Sequence, residues 1–469
     1  MERPRLLASA RGPRPARRTV SDAPRAARHA PGEGAPRDGR RSAGSLSPGA
    51  RPGRSERAIL VGIRGPRQRL SEVEEHLEEL ARLAETAGAS VVGTFLQEKP
   101  RRDPATAVGR GKVAEILEGK LALKAGLVIF DDELTPAQVR NLEGALEVTV
   151  VDRPGLILDI FARGARSREA KVQVELAQLR YLLPRLARRW SHLERQAGGI
   201  GVRGVGETQL ETDRRLIQQR IARLAGDLKQ IEKDRGERRK RRREAMKVAL
   251  VGYTNAGKST LLNRLTGAGA AAEDRLFATL DPLVRQGRGE WERFLFIDTV
   301  GFIRKLPPQL VASFRSTLEE ARAADLLLHV VDLSHPRFEE QMATTRRVLE
   351  DLQLDDRPIL VAFNKVDQVD LQTRRRAEAA NSGALFVSAS TGEGAGDLLR
   401  ALQEEADGAM VLGEAALPPT AGAAIARIHA LARVLESRMV DGRLEIRYRA
   451  RREDAGMLAR MIREAGGRP

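Results

Sequence analysis

The chain has 469 residues, enough for about three domains of ~150 residues each, and it contains no cysteine. The lack of cysteine excludes a disulfide framework, a thiolate zinc site, an iron–sulfur cluster and a cysteine nucleophile. The net charge of +17 favours a polyanionic partner such as nucleic acid. The chain has 69 arginines and only 12 lysines, which also indicates a compositional bias, so only the location of the charge can show whether it serves binding.

The first 56 residues have the composition of a disordered tail. Residues 1–55 contain 13 arginines, eight prolines and four acidic residues, which gives this stretch a net charge of +9. Such a segment buries too little apolar surface to offset the entropy of ordering. We therefore predict an Arg/Pro/Gly/Ala-rich tail over residues 1–56, with an RNA-binding arm or a transit peptide as alternatives.

Residues 57–164 predict a small α/β domain with a largely parallel sheet. Short apolar runs alternate with helical stretches, which is typical of βαβ units. The predicted strands are residues 59–63, 91–95, 127–131 and 148–152, and the predicted helices are residues 70–83, 112–123 and 136–146.

Residues 165–245 predict a long helical hairpin, with apolar helical patterns at 165–197 and 208–247. The connecting loop, residues 198–206, has five glycines in nine residues, so by composition it is a flexible linker or a site of close backbone approach. Residues 214–247 carry 14 basic and five acidic side chains, and this run is either a solvated helix end or a contact with RNA.

A phosphate-binding loop follows the hairpin. An apolar strand at 246–251 runs into a glycine, four further residues and Gly-Lys-Ser, and a helical stretch comes next. In this pattern backbone N–H groups face the phosphates, the lysine reaches the β and γ phosphates, and the serine hydroxyl binds Mg²⁺. The predicted nucleotide-binding residues here are Gly252, Tyr253, Thr254, Asn255, Ala256, Gly257, Lys258, Ser259 and Thr260.

A second motif, Asp-x-x-Gly, ends the apolar strand that precedes it. It consists of Asp298, Thr299, Val300 and Gly301. Asp298 can hold Mg²⁺ through water, and the Gly301 N–H can sense a γ-phosphate. Phe302 follows, and a phenyl ring cannot make the hydrogen bond that would orient an attacking water. We therefore expect slow intrinsic hydrolysis of a bound nucleotide, with the water positioned by another group or by a partner.

Two further motifs indicate a guanine base. Asn364, Lys365 and Asp367 follow an apolar strand, and a carboxylate at Asp367 can accept two hydrogen bonds that adenine does not offer. Lys365 would pack across the base plane. A last strand ends at residues whose backbone can contact the base carbonyl, namely Ser388, Ala389 and Ser390.

The four motifs resemble the guanine-nucleotide-binding domain of the translation-factor-related GTPases, assigned here to residues 246–412. By this resemblance Phe277, Ala278 and Thr279 belong to the first switch, where Thr279 closes over Mg²⁺ and the γ-phosphate, and residues 302–317 form the second. The implied catalytic residues are Lys258, Thr279 and Gly301, and the implied metal ligands are Ser259, Thr279 and Asp298. No side chain is identified as a general base.

Residues 57–412 as a whole resemble the HflX family. The resemblance is carried by residues 103–112, 130–143, 152–161, 174–186 and, most specifically, 198–215 (GGIGVRGVGETQLETDRR), which argues against a plain linker. Pro154 and Ala170 depart from the family pattern, and residues 1–56 and 413–469 are not covered.

The resemblance implies a cytoplasmic, ribosome-associated GTPase that uses GTP/GDP and Mg²⁺ and that we expect to be a monomer. Members of this family bind the large (50S) ribosomal subunit and its rRNA near the tRNA sites, and they split 70S ribosomes under stress. The N-terminal domain and the hairpin would face the ribosome, which could also position the attacking water that Phe302 cannot orient. No apolar run reaches the ~18 residues of a membrane span, and peripheral membrane association stays open.

Three alternative functions remain. The first is a GTPase of large-subunit assembly, which the motifs do not separate from ribosome splitting. An ATP-dependent rRNA-remodelling enzyme would need a second phosphate loop, and residues 109–112 (GRGK) lack its glycine spacing and its Ser/Thr. A nonenzymatic RNA-binding scaffold is disfavoured because Lys258, Ser259, Asp298 and Asp367 are all intact.

Residues 413–469 predict a small C-terminal α/β appendage with no assigned role. We expect a helix at 425–435, a turn at Asp441 and Gly442, a strand at 444–448 and a terminal helix. The predicted fold class is therefore α/β: a P-loop GTPase domain with a mostly parallel sheet, a small N-terminal α/β domain, a long helical hairpin and this appendage.

Overall fold

The computed structural model describes residues 55–186, 205–239, 245–267, 276–277, 283–306, 321–354 and 356–468. The predicted tail, apart from its last two residues, lies outside these ranges. So do most of the glycine-rich loop and the basic run at 240–244, and the predictions for these segments stay predictions.

The N-terminal part has the predicted parallel sheet. Its four strands lie in the order β2-β1-β3-β4, all parallel. Alternate residues of β1 enter two cores: Ala58 and Leu60 pack with α1 and α4, whereas Ile59 and Val61 pack with α2 and α3. The elements are β1 (Glu56–Arg64), α1 (Leu70–Thr86), β2 (Ala89–Glu98), α2 (Arg110–Leu123), β3 (Leu127–Phe130), α3 (Pro136–Leu146), β4 (Thr149–Asp152) and α4 (Arg153–Gly164).

Two long helices follow, α5 (Arg168–Leu186) and α6 (Val205–Arg239). They pack on each other through Leu176, Leu224 and Leu228, and the Arg220 Nε donates to Glu175 Oε1 at 2.8 Å. The predicted extension of the second helix to residue 247 is wrong at its end. Residues 246 and 247 belong to a strand, because they pair with the neighbouring strand that begins at Phe294.

The central part contains a six-stranded sheet in the order β10-β9-β8-β5-β7-β6, parallel except for β6, which runs antiparallel to β7. Helices cover both faces, so the ends of the parallel strands are left to form a site. The elements are β5 (Met246–Val251), α7 (Lys258–Thr266), β6 (Leu283–Gln286), β7 (Phe294–Asp298), β8 (Leu326–Asp332), α8 (Phe338–Asp351), β9 (Ile359–Asn364), α9 (Leu371–Ala380), β10 (Leu385–Phe386) and α10 (Ala395–Gly408).

The C-terminal part is a three-stranded antiparallel sheet, β11-β13-β12, with two helices. The predicted boundary at 412/413 falls inside β11, and the predicted helix at 425–435 is wrong beyond Leu431. Residues 432–440 form β12 instead, because the turn at Asp441 and Gly442, both with positive φ, closes a hairpin with β13. The elements are β11 (Met410–Leu417), α11 (Gly422–Leu431), β12 (Ala432–Val440), β13 (Arg443–Arg451) and α12 (Arg452–Glu464).

None of the helices in the described ranges has both the length and the apolar composition that a bilayer crossing requires.

A buried ion-pair cluster stabilises the N-terminal part. Arg153, at the start of α4, is fully buried and donates to Asp131 Oδ1 at 2.5 Å and to the Glu79 carboxylate. Burial alone would raise the pKa of Asp131, but Arg153 and Lys305 outweigh it and hold that pKa below its ordinary value. The cluster therefore keeps charged groups in the core only as long as all partners are present.

Replacing this arginine should destabilise the protein strongly. Arg153→Met leaves Asp131 and Glu79 without their main cation, and breaking such a buried pair costs about 3–5 kcal/mol. The denaturant concentration at which half of the N-terminal part is unfolded should fall. Hydrogen exchange of the backbone amides in β3 and β4 reports on this unfolding. Arg400→Met is the matched control, because Arg400 pairs with Asp397 on the exposed surface and should change the midpoint little. Equal midpoints for both variants would contradict this role for Arg153.

Candidate active site

The phosphate loop requires glycine at both of its ends. Gly252, directly after β5, has φ +149°, and a Cβ there would lie 2.2 Å from the Val330 carbonyl oxygen of β8. Gly257, directly before α7, has φ +88°, and a Cβ there would lie 2.1 Å from Asn364 Nδ2. Any larger residue would force the loop away from β8 and β9, so the loop conformation depends on these two glycines.

Lys258 is the first residue of α7 and its ammonium group is buried inside the loop. Its Nζ donates to the carbonyl oxygens of Gly252 at 3.1 Å and Tyr253 at 2.8 Å. Burial lowers the pKa of Lys258 to about 8, against the opposing attraction of Asp298. A bound phosphate group would be a negatively charged partner and would favour the protonated form of Lys258.

Ser259 and Asp298 form an oxygen pair beside the loop. The Ser259 hydroxyl donates to Asp298 Oδ2 at 2.7 Å, and Asp298 is fully buried at the end of β7. The next residue, Thr299, donates its hydroxyl to the Leu250 carbonyl oxygen at 2.6 Å, which ties the end of β7 to β5. A hydroxyl and a carboxylate are the kind of oxygen ligands that Mg²⁺ prefers, so Ser259 and Asp298 fit the predicted ion.

The main chain after Asp298 pairs with the phosphate loop. Phe302 N donates to the Gly252 carbonyl oxygen at 3.0 Å, and Thr254 N donates to the Phe302 carbonyl oxygen at 2.8 Å. This pairing brings Gly301 against Thr254, so that a Cβ on Gly301 would lie 2.8 Å from Thr254 Cα and 3.1 Å from Lys258 Nζ. The structure thus places the Gly301 main chain beside the lysine that is predicted to hold the phosphates.

Asn364 links three of the predicted motifs. It ends β9, is 2% exposed, and donates its Nδ2 to the Ala256 carbonyl oxygen at 2.9 Å. Its Oδ1 accepts from Ala389 N, also at 2.9 Å. The side chain therefore fixes the phosphate loop relative to the segments predicted to contact the base.

The predicted base-binding residues lie together. Asp367 is exposed, and its Oδ2 accepts from the Ser390 hydroxyl at 3.4 Å. The Ser388 and Ser390 hydroxyl oxygens are 2.9 Å apart. Lys365 has φ +63°, and its Nζ donates to Asp332 Oδ2 at 2.6 Å, which orients its stem along this edge of the sheet. Because Asp367 is exposed, its carboxylate is accessible to a base.

The first-switch residues are described only in part. Phe277 is buried, and its ring lies 4.6 Å from the ring of Phe161 in α4, so its side chain serves packing. Ala278 and Thr279 lie outside the described residues. Their predicted contacts with Mg²⁺ and the γ-phosphate therefore stay predictions, as does the part of the second switch beyond residue 306.

The sequence did not predict that the loop contacts the N-terminal part. The Tyr253 hydroxyl donates to the Glu79 carboxylate of α1 and accepts from Arg304 N at 3.0 Å. Lys305 Nζ donates to Asp131 Oδ2 at 2.5 Å and Asp132 Oδ1 at 2.8 Å. These partners are 173 or 174 residues apart in the chain, and no local pattern marks them.

Family profiles match three consecutive parts of the chain. Residues 74–162 match a family described as GTP-binding GTPase N-terminal, and residues 164–242 match GTP-binding GTPase Middle Region. Residues 247–365 match 50S ribosome-binding GTPase. The third match covers the phosphate loop and the residues around Asp298 and Asn364.

Individual proteins match over most of the chain. It is 44% identical over 400 residues to the GTPase HflX of Escherichia coli, covering 84% of this chain and 93% of that protein. It is 46% identical over 387 residues to the GTPase HflX of Magnetococcus marinus, covering 82% and 90%. A solved GTP-binding protein of Sulfolobus solfataricus in complex with GDP is 25% identical, with a TM-score of 0.40 over 75% of this chain and 99% of that one.

The base preference tests the role of Asp367. Asp367→Asn replaces one acceptor by a donor, so the preference should shift from guanosine to xanthosine nucleotides. Competition titrations with GDP and XDP measure this shift. Asp397→Asn, an exposed carboxylate paired with Arg400, is the control and should leave the preference unchanged. A variant at 367 that still prefers guanosine would exclude the base-reading role.

Nucleotide affinity should fall as the pH rises above about 8, where free Lys258 loses its proton. Bound phosphate favours the charged ammonium, so binding at higher pH must take up a proton. Calorimetric titrations with GDP at about pH 9, in buffers of different ionisation enthalpy, measure that uptake. Whatever binding Lys258→Arg retains should lack this pH dependence, because arginine does not titrate there. An affinity independent of pH between about 7.5 and 9.5 would contradict the lowered pKa.

Proposed function

The chain belongs to the HflX family of GTPases and is a GTP-hydrolysing enzyme, and we propose that it hydrolyses GTP on the large ribosomal subunit and splits 70S ribosomes into subunits. The observation that carries this proposal is the convergence of four nucleotide motifs at one edge of the sheet. The first two, and the start of the third, lie in residues 247–365, which match the family described as 50S ribosome-binding GTPase. We further propose that it works in the cytoplasm as a monomer.

We assign the phosphate-binding role to residues 252–260 and the γ-phosphate sensor to Gly301. Lys258 neutralises charge on the β and γ phosphates, and the loop N–H groups and the α7 N-terminus orient them. In phosphoryl transfer, such positioning and charge stabilisation account for most of the catalysis. Asn364, Lys365 and Asp367 hold the guanine, with the backbone of residues 388–390 at its carbonyl.

We assign Mg²⁺ to Ser259 and Asp298, with Thr279 as a further ligand. When bound, Mg²⁺ would offset the negative charge of the phosphates. The Ser259 hydroxyl, which donates to Asp298 in this structure, would then offer its oxygen to the ion.

The N-terminal part and the helical pair are the proposed ribosome-facing parts. Arg214, Arg215, Arg223 and Lys229 are exposed along α6, and exposed cations of this kind suit the phosphates of rRNA. Lys305 and Tyr253 join this part to the nucleotide site, which offers a route by which ribosome contact could alter hydrolysis.

The alternatives differ in how well the geometry supports them. A role in large-subunit assembly would use the same site and surface, so experiment must separate it from splitting. A second, ATP-binding site at residues 109–112 is disfavoured. Gly109 N already donates to Gln97 Oε1 at 2.8 Å, and Lys112 Nζ pairs with Glu115 at 2.5 Å, so neither group is set to bind a phosphate.

Purified 50S subunits should raise the GTP turnover of the protein strongly, because the ribosome supplies the groups that complete the site. Steady-state phosphate release across a 50S titration measures the effect. A turnover that is flat across the titration would contradict the ribosome as the partner.

Reversing the charge of Arg241, Arg242 and Arg243, which lie outside the described residues, should weaken the association with the ribosome and flatten the dependence of this association on salt.

Sucrose gradients of 70S ribosomes distinguish splitting from assembly. With the protein and a non-hydrolysable GTP analogue, the 70S peak should give way to 30S and 50S peaks. Intact 70S ribosomes, together with binding to immature 50S particles, would favour the assembly role instead.

A further inference from the structure

The residue after Gly301 does not reach the reacting phosphate. Phe302 is 2% exposed and packs in the core cluster that also contains Tyr253, Phe277 and Ile303. Its position is fixed by main-chain hydrogen bonds to the phosphate loop. The Phe302 ring is therefore not positioned to contact a γ-phosphate or an attacking water, and that contact is left to another group or to the ribosome.

The hydroxyl groups around the phosphate loop differ in whether they already make a hydrogen bond. Ser259 donates to Asp298, and Thr299 donates to the Leu250 carbonyl oxygen. The hydroxyl of Thr254 is buried, in a residue that is 7% exposed, and it has no hydrogen-bond partner among the described residues. A buried unpaired hydroxyl is costly, so it calls for an explanation, and a catalytic role is one of them.

Thr254 lies beside Gly301, the residue assigned above as the γ-phosphate sensor. A Cβ on Gly301 would meet the Thr254 methyl carbon Cγ2 at 2.9 Å and Lys258 Nζ at 3.1 Å, so the methyl group of Thr254 lies against Gly301, on the side that Lys258 also approaches. The hydroxyl is attached to the same Cβ atom as this methyl group. Lys258 is the cation for the β and γ phosphates, and the Gly301 N–H is the γ-phosphate sensor. With these assigned roles, the γ-phosphate would lie in the space next to Lys258, the Gly301 main chain and Thr254.

We propose that the Thr254 hydroxyl donates a hydrogen bond to a γ-phosphate oxygen of GTP and is a catalytic residue of the hydrolysis. In that reaction a water oxygen bonds to the γ-phosphorus, the bond from this phosphorus to the β–γ bridging oxygen breaks, and the water protons pass to the phosphate products. Thr254 is not consumed, and its donor stabilises charge on the γ-phosphate oxygens as this group is transferred. This proposal rests on the nucleotide site proposed above.

The donor acts on GTP alone, since GDP has no γ-phosphate. Thr254 N is already held by the Phe302 carbonyl oxygen, so the backbone position of the residue does not depend on the hydroxyl. A change of the hydroxyl should therefore separate GTP from GDP, which a packing role would not do.

Two substitutions of Thr254 test the proposal. Thr254→Val keeps the shape and removes the donor, whereas Thr254→Ser keeps the donor and removes the methyl group. Affinities for GDP and for a non-hydrolysable GTP analogue are measured by competition titration, and turnover by single-turnover phosphate release, on the full chain. The melting temperature of each nucleotide-free variant reports on folding.

The expected result for Thr254→Val is an unchanged GDP affinity, an affinity for the GTP analogue lower by about tenfold, and a lower single-turnover rate. Its melting temperature should equal or exceed that of the wild type, because the unpaired hydroxyl is gone. Thr254→Ser should retain both analogue binding and turnover.

Three outcomes would overturn the proposal. Equal losses of GDP and GTP-analogue affinity in Thr254→Val would assign the residue to packing. Unchanged analogue affinity and turnover would leave the hydroxyl without a role. A wild-type protein that binds no guanine nucleotide would instead reject the nucleotide site itself, and the assignment of Thr254 with it.

Discussion

Two main-chain hydrogen bonds between the phosphate loop and Phe302 set the geometry on which the rest of the site depends. They hold Gly301 so close to Thr254 that no side chain fits at residue 301. The Phe302 ring packs in the core, and Lys258, Thr254 and the Gly301 main chain come together where we propose that the γ-phosphate binds. The Phe302 side chain cannot orient a water molecule, but the Phe302 main chain holds Gly301 against the phosphate loop. The site can therefore be ordered with a phenylalanine at this residue.

The segment that carries this pairing continues directly into the contacts with the N-terminal part. Arg304 N donates to the Tyr253 hydroxyl, and Lys305 reaches the carboxylates of Asp131 and Asp132. Asp131 in turn pairs with the buried Arg153. Because charges in such a cluster cannot move independently without a large cost, a shift at Gly301 on GTP binding would be felt at β3 of the N-terminal sheet.

The sequence predicted the parts of the structure that depend on local pattern. The phosphate loop, the Asp298 strand end and the base-binding motifs are short segments, and the sheet brings them together as strand ends. Sequence reasoning did not find the Tyr253–Glu79 and Lys305–Asp131 contacts, because their partners are 174 residues apart and each alone is an ordinary charged or polar side chain. It also extended a helix past Leu431, since apolar spacing there continues into residues that the hairpin with β13 holds as a strand.

Amide hydrogen exchange of Thr254 and Phe302 in the nucleotide-free protein tests the pairing most directly. Residue-resolved mass spectrometry can follow both amides against Asn255, whose loop position is exposed. Because both amides are donors in the pairing, they should exchange far more slowly than those of an unstructured chain, and this protection should persist when GDP binds. Exchange of either amide at the rate of an unstructured peptide would contradict a preformed link between the phosphate loop and the segment that carries Gly301.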